Sequence, residues 1–312
     1  MGVSIEPASP VIQTKVPKPL QSGLGIAYMA GGMFLFSAVD TMAKFLTETL
    51  HPLQVVWSRQ LGLLLGVFIL LALKGVSVLA TNNKKLQITR GALAALSATL
   101  FIVAISYVPL ADAVAVSFVA PFIVTVLGAF VLREPVGIRR WIAVTVGFIG
   151  TLIVIRPGMG VIHPAVMLVL IAAACFALRQ VVSRYLANSD RTETTVAYTA
   201  LVGCSILTIP LPFVWQTPTM GTEIVILLVM ALCAAIAELL VIKSLEVSQA
   251  VVVAPVQYSL LIWGTMYGYL VFGHLPDFWT WVGALIIVAT GVYTLHRERV
   301  VARRRMAETP DL

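Results

Sequence analysis

Residues 36–46 read FSAVDTMAKFL and residues 176–186 read FALRQVVSRYL, and each stretch lies inside a long apolar run. Both place a polar residue four positions before a cation: Asp40 precedes Lys44, and Gln180 precedes Arg184. Charged groups are costly in such runs, so one helix carried by two copies of a unit is the simplest source of both stretches.

Other matches between the two halves of the chain support an internal repeat. They are Phe36 with Phe176, Trp141 with Trp281, and ADAVAV (111–116) with SQAVVV (248–253). The last match has a slightly different spacing from the others. We therefore predict two copies of one unit, joined by RPGMGVIHP at 156–164.

The composition places the chain in a membrane. It is 59% hydrophobic and 11% charged, with a mean hydropathy of +0.97, whereas a soluble domain usually carries about 25% charged residues. None of the three cysteines forms a C-x-x-C motif, so the sequence indicates neither a metal site nor a disulfide framework. We predict an all-α integral membrane protein.

Apolar runs divide the chain into ten predicted transmembrane helices, because a crossing needs about 20 apolar residues. The ten segments are 24–47, 53–73, 88–107, 110–132, 138–155, 164–185, 194–213, 222–243, 249–272 and 278–296. The five segments in 24–155 form repeat 1 and the five in 164–296 form repeat 2. Residues 1–23 are predicted to be a disordered tail, and 297–312 a basic tail.

The loop charges predict the orientation. Of the 21 Lys and Arg residues, only Lys44 and Arg156 fall on one side, and Arg59 and Arg179 fall within segments. All others lie on the opposite side, which the positive-inside rule makes cytoplasmic, together with both termini. Five helices are an odd number, so the second copy crosses in the opposite sense, as in many secondary transporters. The net charge of +7 follows from this topology, and nucleic acid is not an expected partner.

Four further charges are predicted at membrane depth, where ionisable groups usually pair or face a wet cavity. Asp40 and Arg59 lie at matching depth near the outer side, and Arg179 and Glu238 near the inner side. We predict two acid–base pairs, one near each mouth, with helix packing alone as the alternative role. Lys44 is expected either to reach the interface or to pair with Asp40.

Several uncharged residues join the candidate site. Trp57 and Gln60 share a face of the second segment, away from Arg59. In the ninth segment, one stripe holds Gln257 and a neighbouring stripe holds Tyr258, which suggests a cavity wall or ordinary packing. Pro121 and Pro255 interrupt two segments and are candidate hinges.

Catalytic signatures are absent from the sequence. It contains no G-x-x-x-x-G-K-[ST] phosphate loop, no H-E-x-x-H zinc motif and no G-x-S-x-G elbow. No two acids lie within one turn inside a predicted segment, as an Mg²⁺-dependent membrane transferase would need. We therefore predict a transporter that has no cofactor, and a transferase is the less favoured reading.

The segment LREPVGIRRWIAVTVGFIGTLIVIRPG, with its acid–Pro pair and Trp/Gly helix, resembles the EamA branch of the drug/metabolite transporter superfamily. The resemblance covers nearly the whole chain and implies two inverted five-helix repeats in a bacterial inner membrane. In GHLPDFWTW, the matching loop of the second half, His274 stands where the first half has Glu134, which departs from the family pattern.

Within that family, SAVDTMAKFLTETLHPLQVVWSRQLG and LIWGTMYGYLVFGHLPD are similar to bacterial riboflavin uptake proteins, which implies import of riboflavin. A flat ring could stack on Trp57, Tyr258 or Trp263. Gln60, Gln257, Asp40 and Arg59 could bind the hydroxyl groups of its side chain. Export of amino acids or related small metabolites is the alternative, since the same charges would bind a carboxylate and an ammonium. The sequence leaves open whether two copies associate.

Overall fold

The protein is described by a computed structural model that covers residues 22–130, 137–156, 163–186, 189–219, 221–248 and 253–308. Most of the predicted N-terminal tail (1–23) lies outside these ranges. So do Glu134 and most of the predicted connection between the halves.

The described residues form helices and contain no strand. The α-helices are α1 (Ser22–Leu46), α2 (Pro52–Lys74), α3 (Lys84–Ile105), α4 (Leu110–Ser117), α5 (Ala120–Phe130), α6 (Ile138–Ile155), α7 (Val166–Leu186), α8 (Thr192–Thr208), α9 (Leu211–Val214), α10 (Gly221–Val247), α11 (Ser259–Phe272) and α12 (Phe278–Glu308). Two 3₁₀-helices span Val76–Leu79 and Ala254–Tyr258.

Six helical stretches are long and apolar enough to cross a membrane: Gly23–Leu46, Pro52–Lys74, Lys84–Ile105, Leu110–Phe130, Val166–Leu186 and Gly221–Val247. Trp141–Ile155 and Phe278–Thr294 are shorter apolar helices. The chain is therefore a multi-pass, all-helical membrane protein, as its composition predicted. The number of ten crossings stays a prediction.

Three helices extend beyond the predicted segments at their charged ends. α3 begins at Lys84 rather than 88, α10 continues to Val247, and α12 continues to Glu308, through most of the predicted basic tail. Hydropathy detects only the apolar part of a helix, whereas Lys, Arg, Gln and Glu are good helix formers that prolong it into water. Residues near such ends consequently lie deeper within their helices than the sequence suggested.

The fourth predicted segment is broken into α4 and α5. The backbone bonds from Phe118 to Ala115 and from Val119 to Val116 turn the chain at the break, with N–O distances of 3.3 and 3.0 Å. Pro121 follows as the second residue of α5, where a missing N–H removes no helical hydrogen bond. The mid-helix kink expected at Pro121 is instead a junction between two helices.

The ninth predicted segment is also not one continuous α-helix. The 3₁₀-helix at Ala254–Tyr258 precedes α11, and Pro255 lies near its start. A 3₁₀-helix has 3.0 residues per turn instead of 3.6, so the predicted single α-helix is replaced by two helical segments of different geometry. The roles predicted for Gln257 and Tyr258 stay predictions.

Helices from the two ends of the chain pack against each other. α1 lies along α10, α2 contacts α10 and α8, and α3 contacts α7 and α8. The backbones of α2 and α10 approach closely at Gly62, where an added Cβ atom would stand 1.9 Å from the carbonyl oxygen of Ala231 on α10. Such backbone contact requires glycine and is typical of small-residue seams in membrane helices.

Candidate functional site

Five charged residues on five helices form a group that we call the central charge cluster: Asp40 (α1), Arg59 (α2), Arg90 (α3), Arg179 (α7) and Glu238 (α10). Arg59 Nη1 lies 3.1 Å from Asp40 Oδ1, and the two side chains are 19% and 9% exposed. The predicted pairing of these two residues is thus present. Whether the pair contacts substrate stays a prediction.

The second predicted pair is not a direct one. No contact within 4.0 Å joins Arg179 and Glu238, although both side chains belong to the described part of the chain. Arg179 lies within electrostatic reach of Glu238 and also of Arg59, so the two predicted pairs are not electrostatically independent of each other. Arg90, which is within reach of Arg179 and Glu238, makes three cations share two acids.

Arg90 is a member of the cluster that the sequence prediction missed. Its Nε donates to Ser183 Oγ at 2.7 Å, and its Nη1 donates to Thr199 Oγ1 and, at 3.4 Å, to the carbonyl oxygen of Thr195. Because the sequence predicted that this helix begins at residue 88, Arg90 was expected at the membrane surface. The helix-forming run KKLQ at 84–87 was the signal that this residue lies almost two turns into α3.

Aromatic rings cover two of the three guanidinium groups. The ring of Phe36 lies 5.7 Å from Arg59 Cζ, and the ring of Phe176 lies 4.7 Å from Arg179 Cζ. Cation–π contacts of this length stabilise a desolvated cation. These two phenylalanines marked the repeat in the sequence, where neither was assigned a role in the site.

Trp57 and Gln60 lie at the contact between α2 and α8. Trp57 Nε1 donates to Thr208 Oγ1 at 2.9 Å, and its ring meets that of Trp215 edge-on at 6.3 Å. A Cβ atom added at Gly203 would stand 2.8 Å from Gln60 Nε2, so the amide packs closely on α8. Both predicted site residues therefore join the two halves, and their contact with substrate stays a prediction.

The remaining predicted site residues are separate from the cluster. Tyr258 is buried, 4.9 Å from the Phe118 ring and against Gly291 of α12, whereas Gln257 is exposed. Trp263 meets Phe34 edge-on at 5.2 Å. Among the described residues, none of these three shares a hydrogen bond or ring contact with the central charge cluster.

Lys44 pairs neither with Asp40 nor, by a described contact, with any other acid. Its Nζ donates to the carbonyl oxygens of Ile105 and Val108, at 2.7 and 2.6 Å. Ile105 is the last residue of α3, whose last turn has no helical donors, and Val108 follows in the connection to α4. Lys44 thus caps α3, and Asp40 is left for Arg59.

A polar network closes one end of the molecule. Asp190, between α7 and α8, accepts hydrogen bonds at Oδ2 from Thr81 Oγ1 and Gln87 Nε2, both at 2.6 Å. Lys74 and Glu193 form an ion pair beside it. Partial burial would raise the pKa of Asp190, but hydrogen bonds from Thr81, Gln87, Ser189 and Asn83 outweigh it and hold that pKa below 3.8. The network joins the region before α3 to the second half of the chain.

A second ion pair closes the opposite end. Arg156, in the left-handed conformation (φ 44°) after α6, places Nη2 at 2.5 Å from Asp277 Oδ2. Asp277 Oδ1 accepts from the Thr280 N–H at 2.8 Å and so caps the start of α12. Burial would raise the pKa of Asp277, but the hydrogen bonds from Thr280 and Arg156 hold it below 3.8. His274, in the same loop, is exposed and stacks on Phe272 at 6.4 Å.

A sequence model of the EamA-like transporter family matches residues 23–156 and again residues 163–295. The riboflavin transporter of Vibrio cholerae is 29% identical over 292 residues, which cover 92% of this chain and 96% of that protein. The S-adenosylmethionine uptake transporter of Rickettsia bellii is 25% identical over 284 residues, covering 91% and 97%. One solved crystal structure matches with a TM-score of 0.61 at 17% identity, covering 89% of this chain and 99% of that one, and so has the same fold.

Proposed function

The chain belongs to the EamA-like transporter family and is a transporter, not an enzyme; from this premise we propose that it imports riboflavin. The observation that carries the proposal is the charge balance of the central cluster. Three guanidinium groups face two carboxylates, so the cluster favours a neutral or anionic substrate. Riboflavin is neutral, whereas the sulfonium group of S-adenosylmethionine adds a positive charge that this cluster would repel.

The proposed architecture consists of two inverted five-helix repeats, 24–155 and 164–296, with ten crossings and both termini in the cytoplasm. Two successive matches to one family model support the repeat. The concentration of Lys and Arg on one side supports the orientation. We place the protein in a bacterial inner membrane on the basis of the relatives' organisms and of the family resemblance.

In this proposal the substrate binds between the halves. The flavin ring stacks on Trp57, with Tyr258 and Trp263 as further proposed contacts after rearrangement of α11. Gln60, Gln257, Asp40 and Arg59 bind the ribityl hydroxyls. Binding between repeats and rocking of one repeat against the other is a recurrent transport mechanism, and Pro121 and Pro255, at the starts of two helical segments, are the proposed hinges.

Export of amino acids or related metabolites is the second candidate function. Arg179 and Glu238 lie near each other without a direct bond, which would suit the carboxylate and the ammonium of a zwitterion. The same geometry would bind a zwitterion moving in either direction.

Uptake in a riboflavin auxotroph tests the proposal. Cells expressing the protein should grow at limiting vitamin and accumulate labelled riboflavin above vector control, and labelled S-adenosylmethionine should not accumulate. A substitution that removes the Trp57 ring, Trp57→Ala, should weaken apparent affinity by about 5–150-fold, the equivalent of about 1–3 kcal/mol of stacking. Trp57→Phe at matched membrane abundance should retain most of it. Faster loss of amino acids without riboflavin uptake would support the exporter instead.

A further inference from the structure

The central charge cluster contains three guanidinium groups and two carboxylates, so one positive charge has no counter-ion within it. Asp40 is bonded to Arg59, so Glu238 is the one carboxylate of the cluster near both Arg90 and Arg179. An uncompensated charge at membrane depth is costly. The imbalance therefore requires either a functional reason or a further anion.

The three guanidinium groups of the cluster differ in the number of hydrogen bonds that they donate. Arg90 has three described acceptors and Arg59 has one. The Arg179 guanidinium has no acceptor within the described part of the chain, and its Nε is fully enclosed. A buried donor without an acceptor is unfavourable, and more so when it is charged.

The surroundings of Arg179 restrict what can bind to it. The Phe176 ring covers the guanidinium at 4.7 Å, which leaves the planar edge with its fork of N–H donors. That fork matches the spacing of two oxygens on a carboxylate or phosphate. The carboxylate of Glu238 lies within electrostatic reach of Arg179. Its negative charge would repel a second anionic group at this position.

We propose that Arg179 is the centre of an oxyanion subsite in the central charge cluster, which binds a single phosphate or carboxylate group of a transported molecule. The inference rests on the proposed function and deepens it. Riboflavin has no such group, so a flavin that carries a phosphate on its ribityl chain fills both parts of the site. Free phosphate has the same chemistry and is the other source of the anion.

Binding to the purified full-length protein in lipid nanodiscs tests the subsite. The probes are riboflavin, riboflavin 5′-phosphate and inorganic phosphate, and flavin fluorescence reports affinity. The intact protein should bind the phosphorylated flavin more tightly than riboflavin. Arg179→Gln should weaken binding of the phosphorylated flavin by about 10–150-fold, the effect of a hydrogen bond to a charged group, and so remove its advantage over riboflavin. Arg139→Gln, which removes an exposed cation at the start of α6, is the control.

A second variant keeps the test decisive if Arg179→Gln does not fold. Glu238→Gln removes the carboxylate that competes for Arg179, so it should tighten binding of the phosphorylated flavin. Competition by inorganic phosphate at the same concentration as the phosphorylated flavin would uphold the subsite and assign it to free phosphate. Equal affinity for both flavins in the intact protein and in both variants would overturn it. Anion binding that depends on Arg179, without any riboflavin binding, would uphold the subsite and refute the proposed function.

Discussion

Arg59 on α2 donates a hydrogen bond to Asp40 on α1, with 3.1 Å between Nη1 and Oδ1. The two helices otherwise touch little, because α1 packs mainly along α10, and α2 against α10 and α8. The ion pair therefore fixes two helices of one half whose main partners lie in the other half.

The losses of thermal stability from removing Asp40 and from removing Arg59 should not add. Asp40→Asn or Arg59→Gln alone leaves a buried charge without its counter-ion, which costs on the order of 3–5 kcal/mol. The double variant removes both charges, so its loss of thermal stability should be smaller than the sum of the two single losses. Thermal unfolding in detergent measures this, and strictly additive losses would show that the pair is not coupled.

Gly62 should not tolerate a side chain. Gly62→Ala places a methyl group 1.9 Å from the Ala231 carbonyl oxygen, so α2 and α10 must separate, at a cost of about 1–3 kcal/mol. Gly66→Ala, one turn along the same helix, meets nothing within 4 Å. It should be neutral or stabilising by up to about 1 kcal/mol, because alanine is the better helix former. Equal melting temperatures for the two variants would contradict the close contact.

The stability that the Asp190 network contributes should not vary with pH in the physiological range. The pKa of Asp190 is lowered in the fold, below 3.8, so its contribution to stability is complete above the ordinary pKa and is lost as the pH falls below about 4. The difference in melting temperature between the intact protein and Asp190→Asn should be constant from about pH 5 to 8 and shrink below about pH 4.

Glu48→Gln is the matched control for that measurement, because Glu48 is exposed and its carboxylate has no hydrogen bond in the described ranges. It should alter the melting temperature little at any pH. A difference between Asp190→Asn and the intact protein that varies between pH 5 and 8 would assign the titration to another group.

Single cysteines should reveal the proposed orientation. In a background without Cys175, Cys204 and Cys233, an impermeant thiol reagent added to intact cells should label exposed positions 49 and 217. It should miss exposed positions 85 and 191 until the membrane is opened. Labelling of position 85 from outside would reverse the proposed topology.

The sequence predicted the class of fold well, because long apolar runs and few charges leave little choice in a bilayer. It also predicted the partner of Asp40, since matched depth on adjacent helices is readable from spacing. The prediction failed at Arg90, whose position inside α3 depends on helix-forming residues that hydropathy does not detect. It also missed the 3₁₀-helix at Ala254–Tyr258, because an apolar run does not show which helical geometry its residues adopt.

The unbonded state of Arg179 could not have been predicted from the sequence. Spacing gives the depth of Arg179 and Glu238 but not the few ångströms of lateral position that decide whether two side chains meet. The third cation of the cluster, Arg90, lies on α3, and its proximity to Arg179 and Glu238 appears only when three helices are packed together.

The contact between Gly62 and Ala231 has a mechanical consequence for transport. In the proposed rocking of one half against the other, this contact would be the pivot, because two backbones in contact cannot approach further. In that mechanism displacement should be least at Gly62 and should grow toward the two ends of the molecule, where the Asp190 network and the Arg156–Asp277 pair would hold the two halves together. Substrate in the central cluster would then experience small shifts in side-chain position while both ends travel far.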